Sequence, residues 1–189
     1  SGANQTARRT PPENFHHFRD TTMARKVFFS FHFDNDFWRT QTVRNMGSLD
    51  GQTLATANKW EELKRTSDQA VRDWISTNMK GKSCLVVLNG SDTAGRKWIN
   101  YEIKKAWEDG RGVVGIHVNK LKHSDGTQSR RGSSPFSNII ANGNSLSGIP
   151  KLWIPGGTTS QEAYNSISSN IGDWIEEAIQ IRKQYSGAL

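Results

Sequence analysis

The chain has 189 residues, of which 34% are hydrophobic, and it carries a net charge of +7. Its one cysteine, Cys84, excludes an intrachain disulfide framework and a zinc site built from several thiolates. No apolar run reaches the roughly 18 residues that a membrane span needs, and no apolar signal segment opens the chain, so we expect a cytoplasmic protein without a membrane contact.

The basic residues are dispersed along the chain rather than gathered in one block. They recur as short groups at 8–9, 64–65, 104–105, 120–131 and 182–183. A nucleic-acid surface would concentrate such charges, so this distribution argues against nucleic acid as a partner. It favours solvated faces or a smaller anionic ligand.

Residues 1–22 differ from the rest of the chain because they are polar and show no hydrophobic period. Met23 stands directly before the first apolar run. We therefore expect 1–22 to be an N-terminal extension or a segment left over from cloning, dispensable for the core. Residues 23–189 then form one domain.

The first half of that domain alternates strand and helix signals. In chain order, the pattern predicts a strand over 27–33, a helix over about 36–45 with its N-cap at Asp34 to Asp36, a loop over 48–58, a helical turn or short strand over 60–64, and a helix over 68–79. Thr66 to Asp68 supply the cap of the last helix.

The second half continues the alternation. It predicts a strand over 83–89, a helix over 96–109, a strand over 112–118, a long loop over 119–149, a short strand over 152–154 and a helix over 160–185. The strands at 83–89 and 112–118 are apolar on both faces, which is typical of central parallel strands covered by helices. The order predicts an α/β fold with a central parallel sheet in three layers, of the flavodoxin-like kind.

In such sheets, ligands bind beyond the carboxyl ends of the strands. The polar candidates there for binding a substrate are Ser30, His32, Asp34, Asp36, Ser91 and His117. The two histidines are equally consistent with packing at strand ends. Ser91 could contact a phosphate or ribose, or could cap the following helix. No fixed ligand spacing is present, so we expect no metal site.

Glu102 is the most informative residue of the helix over 96–109. At 100° per residue, it falls inside the apolar sector, between Trp98 and Ile99. A carboxylate there is costly unless it is paired or opens onto a cleft. Two interpretations follow: Glu102 pairs with Lys105, or it belongs to a site in which Trp98 forms a wall.

The stretch over 91–103 resembles the TIR-domain segment in which a strand leads to a serine, then a tryptophan, then a glutamate four residues later. The run over 26–33 with Asp36, the residues 43–45 and the strand end over 115–119 extend the resemblance. They are similar to a bacterial TIR-like family that includes the sensor of the Thoeris anti-phage system. The resemblance covers about residues 24–119.

This resemblance implies a function. It implies that Glu102 is the residue that cleaves NAD, that NAD is a substrate and not a resident cofactor, and that the product is an ADP-ribose-type signal, in cyclic form, used in bacterial defence. It also implies a protein partner or self-assembly. A non-enzymatic TIR-like signalling module is the alternative. A flavin-binding domain fits poorly, because the segment over 31–38 is bulky and acidic.

The two interpretations of Glu102 predict different effects of Glu102→Gln. If Glu102 belongs to the site, the substitution abolishes NAD cleavage and leaves stability nearly unchanged. If Glu102 pairs with Lys105, only stability changes.

Overall fold

The computed structural model describes residues 24–47 and 49–185. Its seven strands are β1 (Arg25–Phe31), β2 (Leu49–Gly51), β3 (Cys84–Asn89), β4 (Gly112–His117), β5 (Ile140–Ala141), β6 (Asn144–Ser145) and β7 (Leu152–Trp153). Its five helices are α1 (Phe33–Arg44), α2 (Ala57–Thr66), α3 (Asp68–Met79), α4 (Lys97–Glu108) and α5 (Ser160–Gln184). The expectations for residues 1–22 lie outside the described residues.

A parallel five-stranded sheet organises the fold, in the order β2-β1-β3-β4-β7. Every residue of β3 and β4 is buried. The prediction that the first, third and fourth strands lie side by side at the centre is therefore confirmed. β5 and β6 form a separate two-stranded antiparallel hairpin.

The sheet is covered on both faces, and successive residues of β3 show this directly. Leu85 and Val87 pack into a core with α2, α3 and α4, whereas Val86 and Leu88 pack into a second core with α1 and α5. Side chains that alternate between two apolar layers require a continuously hydrophobic strand, which is what the sequence contains. The α/β three-layer fold is confirmed.

Three local predictions were wrong. The segment 48–58, expected as a loop, contains the edge strand β2 and the first two residues of α2. The first strand ends at Phe31 instead of residue 33, and α1 begins at Phe33 with His32 as its N-cap. The long connection after β4 carries the β5–β6 hairpin. The cap predicted for α3 is confirmed, since the side chain of Ser67 accepts a hydrogen bond from the backbone N–H of Ala70.

Edge strand β2 approaches β1 closely because residue 51 is a glycine. A Cβ at Gly51 would lie 2.4 Å from Cε2 of Phe29, so a larger residue would displace that ring. None of the described helices is both long enough and apolar enough to cross a membrane.

Candidate active site

A pocket of about 260 Å3 opens at the carboxyl end of β1, between the sheet and helices α2, α3 and α4. Aromatic residues make up a large part of its walls. The seven aromatic lining residues are Phe28, Phe29, Phe31, Phe33, Trp60, Trp74 and Trp98. Trp74 packs between two other wall residues. Its ring contacts Trp60 edge-on at 6.1 Å and Phe28 edge-on at 6.3 Å between centroids.

Glu102 is the buried carboxyl group of this pocket. Glu102 is only 6% exposed, and the Ser30 hydroxyl donates a hydrogen bond to Oε2 of the Glu102 side chain. Burial raises the pKa of Glu102 to about 8, although the Ser30 hydrogen bond acts in the opposite direction. The sequence prediction that Glu102 opens onto a cleft agrees with this placement.

The alternative in which Glu102 pairs with Lys105 is wrong. The ammonium group of Lys105 lies 3.0 Å from Oδ2 of Asp109, one turn further along α4. No lysine, arginine or histidine in 24–47 or 49–185 forms an ion pair with Glu102. Glu102 therefore lacks the compensation that a structural buried carboxylate normally has.

Gln52 shapes the pocket and was not anticipated from the sequence. Its buried side-chain amide takes the place of a β-strand partner just after β2 ends. The amide oxygen accepts from the backbone N–H of Phe29 at 2.8 Å, and the amide nitrogen donates to the backbone carbonyl of Phe29 at 2.8 Å. These bonds fix the chain that carries Leu54 and Ala55 into the pocket wall.

The rim of the pocket is positively charged. Lys64, Arg96 and Lys97 line it and are exposed, whereas Asp34 is the one exposed carboxylate among the described lining residues. Because Glu102 holds its proton at neutral pH, the cations dominate the local charge. An anionic group on a ligand is favoured at this rim.

His32 also lines the pocket, where it stands between β1 and α1. Its side chain is half-buried, and its Nδ1 atom is buried without a hydrogen-bond partner. Burial, followed by the charge of Arg96, lowers the pKa of His32, so the ring is neutral at pH 7. A neutral imidazole with an unsatisfied nitrogen can hydrogen-bond a polar group of a ligand.

Asp36, Ser91 and His117 lie outside this pocket, although they were predicted to share the site. Ser91 is half-buried, with Oγ 3.5 Å from a carboxylate oxygen of Asp92. Its alternative role as a cap is wrong, because the N-cap of α4 is Arg96. His117 is buried, and its Nδ1 lies 3.4 Å from Nδ2 of Asn89, which also donates to the carbonyl of Ser133.

Asp36 has a structural environment. It forms a buried ion pair with Arg39 at 2.9 Å, and Arg39 also donates to the carbonyl of Leu121 at 2.7 Å. The carboxylate packs against the backbone at Gly90, where a Cβ would lie 2.0 Å from Oδ2. Burial raises the pKa of Asp36 despite the arginine. This arrangement ties α1 to the connection after β4.

The structure thus brings together Ser30, His32, Asp34, Trp98 and Glu102 from the predicted set. It adds Gln52 and the cationic rim. Across the described ranges, no three His, Cys, Asp or Glu side chains are arranged to hold a metal ion.

The parallel sheet and the buried glutamate at its carboxyl edge define an α/β domain of the TIR-like class. Over residues 28–123, just over half of its 189 residues, the chain matches the family described as "Thoeris protein ThsB, TIR-like domain", and it belongs to that family. The match includes all of the residues that line the pocket.

The chain is also similar to a Bacillus cereus (strain MSX-D12) protein named "Putative cyclic ADP-D-ribose synthase ThsB1". The two are 39% identical over 120 residues, which cover 60% of this chain and 62% of the relative. The chain therefore matches less than two thirds of the relative's length.

Proposed function

We propose that the protein cleaves NAD at the bond between nicotinamide and ribose, and that it releases a cyclic ADP-ribose-type signal in bacterial anti-phage defence. The observation that carries this proposal is the Glu102 carboxyl group, which is buried in a pocket rich in aromatic residues and, among the described residues, is hydrogen-bonded only to the Ser30 hydroxyl. Family membership and the name of the Bacillus cereus relative support the choice of reaction.

The pocket suits the nicotinamide end of NAD. The nicotinamide ring is a flat pyridinium cation, and cations bind favourably over the faces of Trp and Phe rings. Trp60 and Trp74 are partly exposed aromatic residues of the pocket lining. A bound pyridinium also favours the ionised form of Glu102, so substrate binding itself promotes loss of the carboxyl proton.

Glu102 then acts on the ribose. Cleavage breaks the bond between C1′ and the ring nitrogen, and the electron pair leaves with nicotinamide, which becomes neutral. The positive charge that develops on the ribose is stabilised by the Glu102 carboxylate, which also accepts hydrogen bonds from ribose hydroxyls. A hydroxyl group of the same molecule attacks C1′ to close the cyclic product, whereas attack by water gives linear ADP-ribose; in either case the attacking oxygen forms the new bond to C1′ and loses its proton.

The test is to incubate the protein with NAD and to separate nicotinamide and the nucleotide products by chromatography and mass spectrometry. The cyclic product lacks the elements of water relative to ADP-ribose. We propose in addition that the active form is self-assembled, so the reaction is run over a series of protein concentrations, with and without a crowding agent.

Two variants of α4 make the test specific. Glu102→Gln is expected to lower nicotinamide release by about a hundredfold or more, the scale of one well-placed electrostatic group. Glu108→Gln makes the same change at an exposed position of the same helix and is expected to match the wild type. Equal cleavage by wild type and Glu102→Gln would refute the catalytic role, and a wild type without cleavage under all conditions would favour the non-enzymatic signalling module.

A further inference from the structure

Beside the pocket lies a second, shallower groove, which we call the outer groove. It has a volume of about 420 Å3 and runs along the side of α4 that faces α3 and β5. Lys97 and Trp98 line both the pocket and the outer groove, so the two adjoin at these residues. The outer groove is further lined by Arg72, Tyr101, Lys104 and Ile140.

The outer groove carries positive charge. Arg72, Lys97 and Lys104 line it, and none of its described lining residues is acidic. Lys97 contacts Asp68, but that ion pair is exposed and contributes little, so an anion can compete for the ammonium group. The groove is therefore complementary to a ligand that carries phosphate.

A hydrophobic and aromatic surface lies beside these cations. Trp98 and Tyr101 contact each other edge-on at 5.7 Å, and Ile140 is 63% exposed. Nζ of Lys97 lies 4.8 Å from the centroid of the Trp98 ring, so a positive charge already stands at this surface. Aromatic faces next to cations are typical of sites that bind a base and its phosphate together.

The volume of the pocket also indicates that a dinucleotide would extend into the outer groove. At about 260 Å3, the pocket falls below the roughly 300–1,000 Å3 of sites that enclose a whole drug-sized ligand. A dinucleotide held at Glu102 must therefore extend beyond the pocket. The outer groove adjoins the pocket at the shared residues Lys97 and Trp98, and it is positively charged.

We propose that the outer groove binds the phosphate-bearing adenosine half of the dinucleotide, with the diphosphate at Lys97 and Lys104 and the adenine against Trp98 and Tyr101. This inference rests on the proposed function, which places the nicotinamide riboside half in the pocket. It makes α4 a shared wall, with Glu102 facing one half of the ligand and Lys104 facing the other.

The test measures binding instead of turnover. ADP-ribose is titrated into the full chain by calorimetry, and Lys104→Gln is compared with Lys105→Gln. The two substitutions remove one positive charge at adjacent positions of α4, but Lys105 points to Asp109 and does not line the groove. We expect Lys104→Gln to weaken ADP-ribose binding about threefold to tenfold and Lys105→Gln to leave it unchanged.

A second variant tests the adenine contact. Tyr101→Ala, checked by thermal unfolding, is expected to weaken ADP-ribose binding about fivefold or more and to leave binding of nicotinamide mononucleotide, which has no adenosine, unchanged. Wild-type affinity for ADP-ribose in both Lys104→Gln and Tyr101→Ala overturns the inference, as does a wild type that binds no ADP-ribose. If these variants weaken binding but the wild type does not cleave NAD, the proposed function fails and the groove assignment stands.

Discussion

Glu102→Gln is expected to stabilise the protein, and to do so more strongly as the pH rises. In the folded chain, burial raises the pKa of Glu102 from its ordinary value of 4.5 to about 8. Between these two values, the folded state keeps a proton that the unfolded state has released. Stability of the wild type therefore falls as pH rises through this window, and glutamine, which does not titrate, removes that loss.

The size of the effect follows from the same two pKa values. One unit of difference between the pKa in the folded state and the pKa in the unfolded state corresponds to about 1.4 kcal/mol, so the ionised carboxylate costs the fold on the order of 5 kcal/mol above pH 8. The advantage of Glu102→Gln grows from about 1 kcal/mol at pH 5 to about 3 kcal/mol at pH 7 and about 5 kcal/mol at pH 9. The sequence alone suggested nearly unchanged stability, because it did not reveal how deeply Glu102 is buried.

The measurement is urea unfolding followed by tryptophan fluorescence at several pH values. Other titrating groups are common to both proteins and cancel in the difference between them. Glu108→Gln, exposed on the same helix, is the control and is expected to show a difference from wild type that does not vary with pH. If the difference between Glu102→Gln and wild type is also constant from about pH 5 to pH 9, Glu102 is not the buried, proton-retaining group that we infer.

Three further predictions concern the buried polar groups. If ionised Glu102 carries the reaction, kcat/KM for NAD rises with pH through about 8, whereas a profile flat from about pH 6 to pH 9 would exclude this role. Ser30→Ala removes the hydrogen bond that lowers the pKa of Glu102, so the rise moves to higher pH; an unmoved rise would show that Ser30 does not position the carboxylate. Arg39→Met leaves Asp36 buried without its partner and should lower the free energy of unfolding in urea by about 3–5 kcal/mol. Adding Asp36→Asn should recover part of that loss, and a single Arg39→Met variant as stable as wild type would contradict this account.

The centre of the sheet could be predicted because its strands carry a strong signal. β3 and β4 are hydrophobic on both faces, and only a strand between two helical layers needs that pattern. β2 could not be predicted. It has three residues, Leu49–Gly51, at the edge of the sheet, and it is held by pairing to β1 instead of by its own hydrophobicity.

Part of the site could be predicted from helical phase. The position of Glu102 relative to Trp98 and Ile99 placed a carboxylate on the buried face of α4, and the structure agrees. Asp36 was misjudged because α1 begins at Phe33, three residues earlier than expected. That start places Asp36 on the same buried face as Arg39, where it pairs within the fold.

The remaining pocket residues lie on elements whose packing against one another no sequence pattern reveals. Trp60, Lys64 and Trp74 belong to α2 and α3, and they reach the pocket because both helices pack against the same face of the sheet. Gln52 substitutes for a strand residue through its side chain, which no residue pattern reveals. His117 lies outside the pocket, where Asn89 links its ring to the backbone of the loop after β4.

The two buried carboxyl groups at this end of the sheet show why Glu102 belongs to a site and Asp36 to the fold. Asp36 is paired with a guanidinium that in turn binds a loop carbonyl, so its charge links elements of the structure. Glu102 has one hydroxyl donor and no cationic partner among the described residues, and a glutamine would fit the fold at lower cost. A carboxyl group that weakens the fold at neutral pH is expected where the charged form is needed by a ligand. In the proposed reaction, the cation that compensates Glu102 is the pyridinium of NAD. The stability that the free protein loses would then appear as tighter binding of the state in which that positive charge moves onto the ribose.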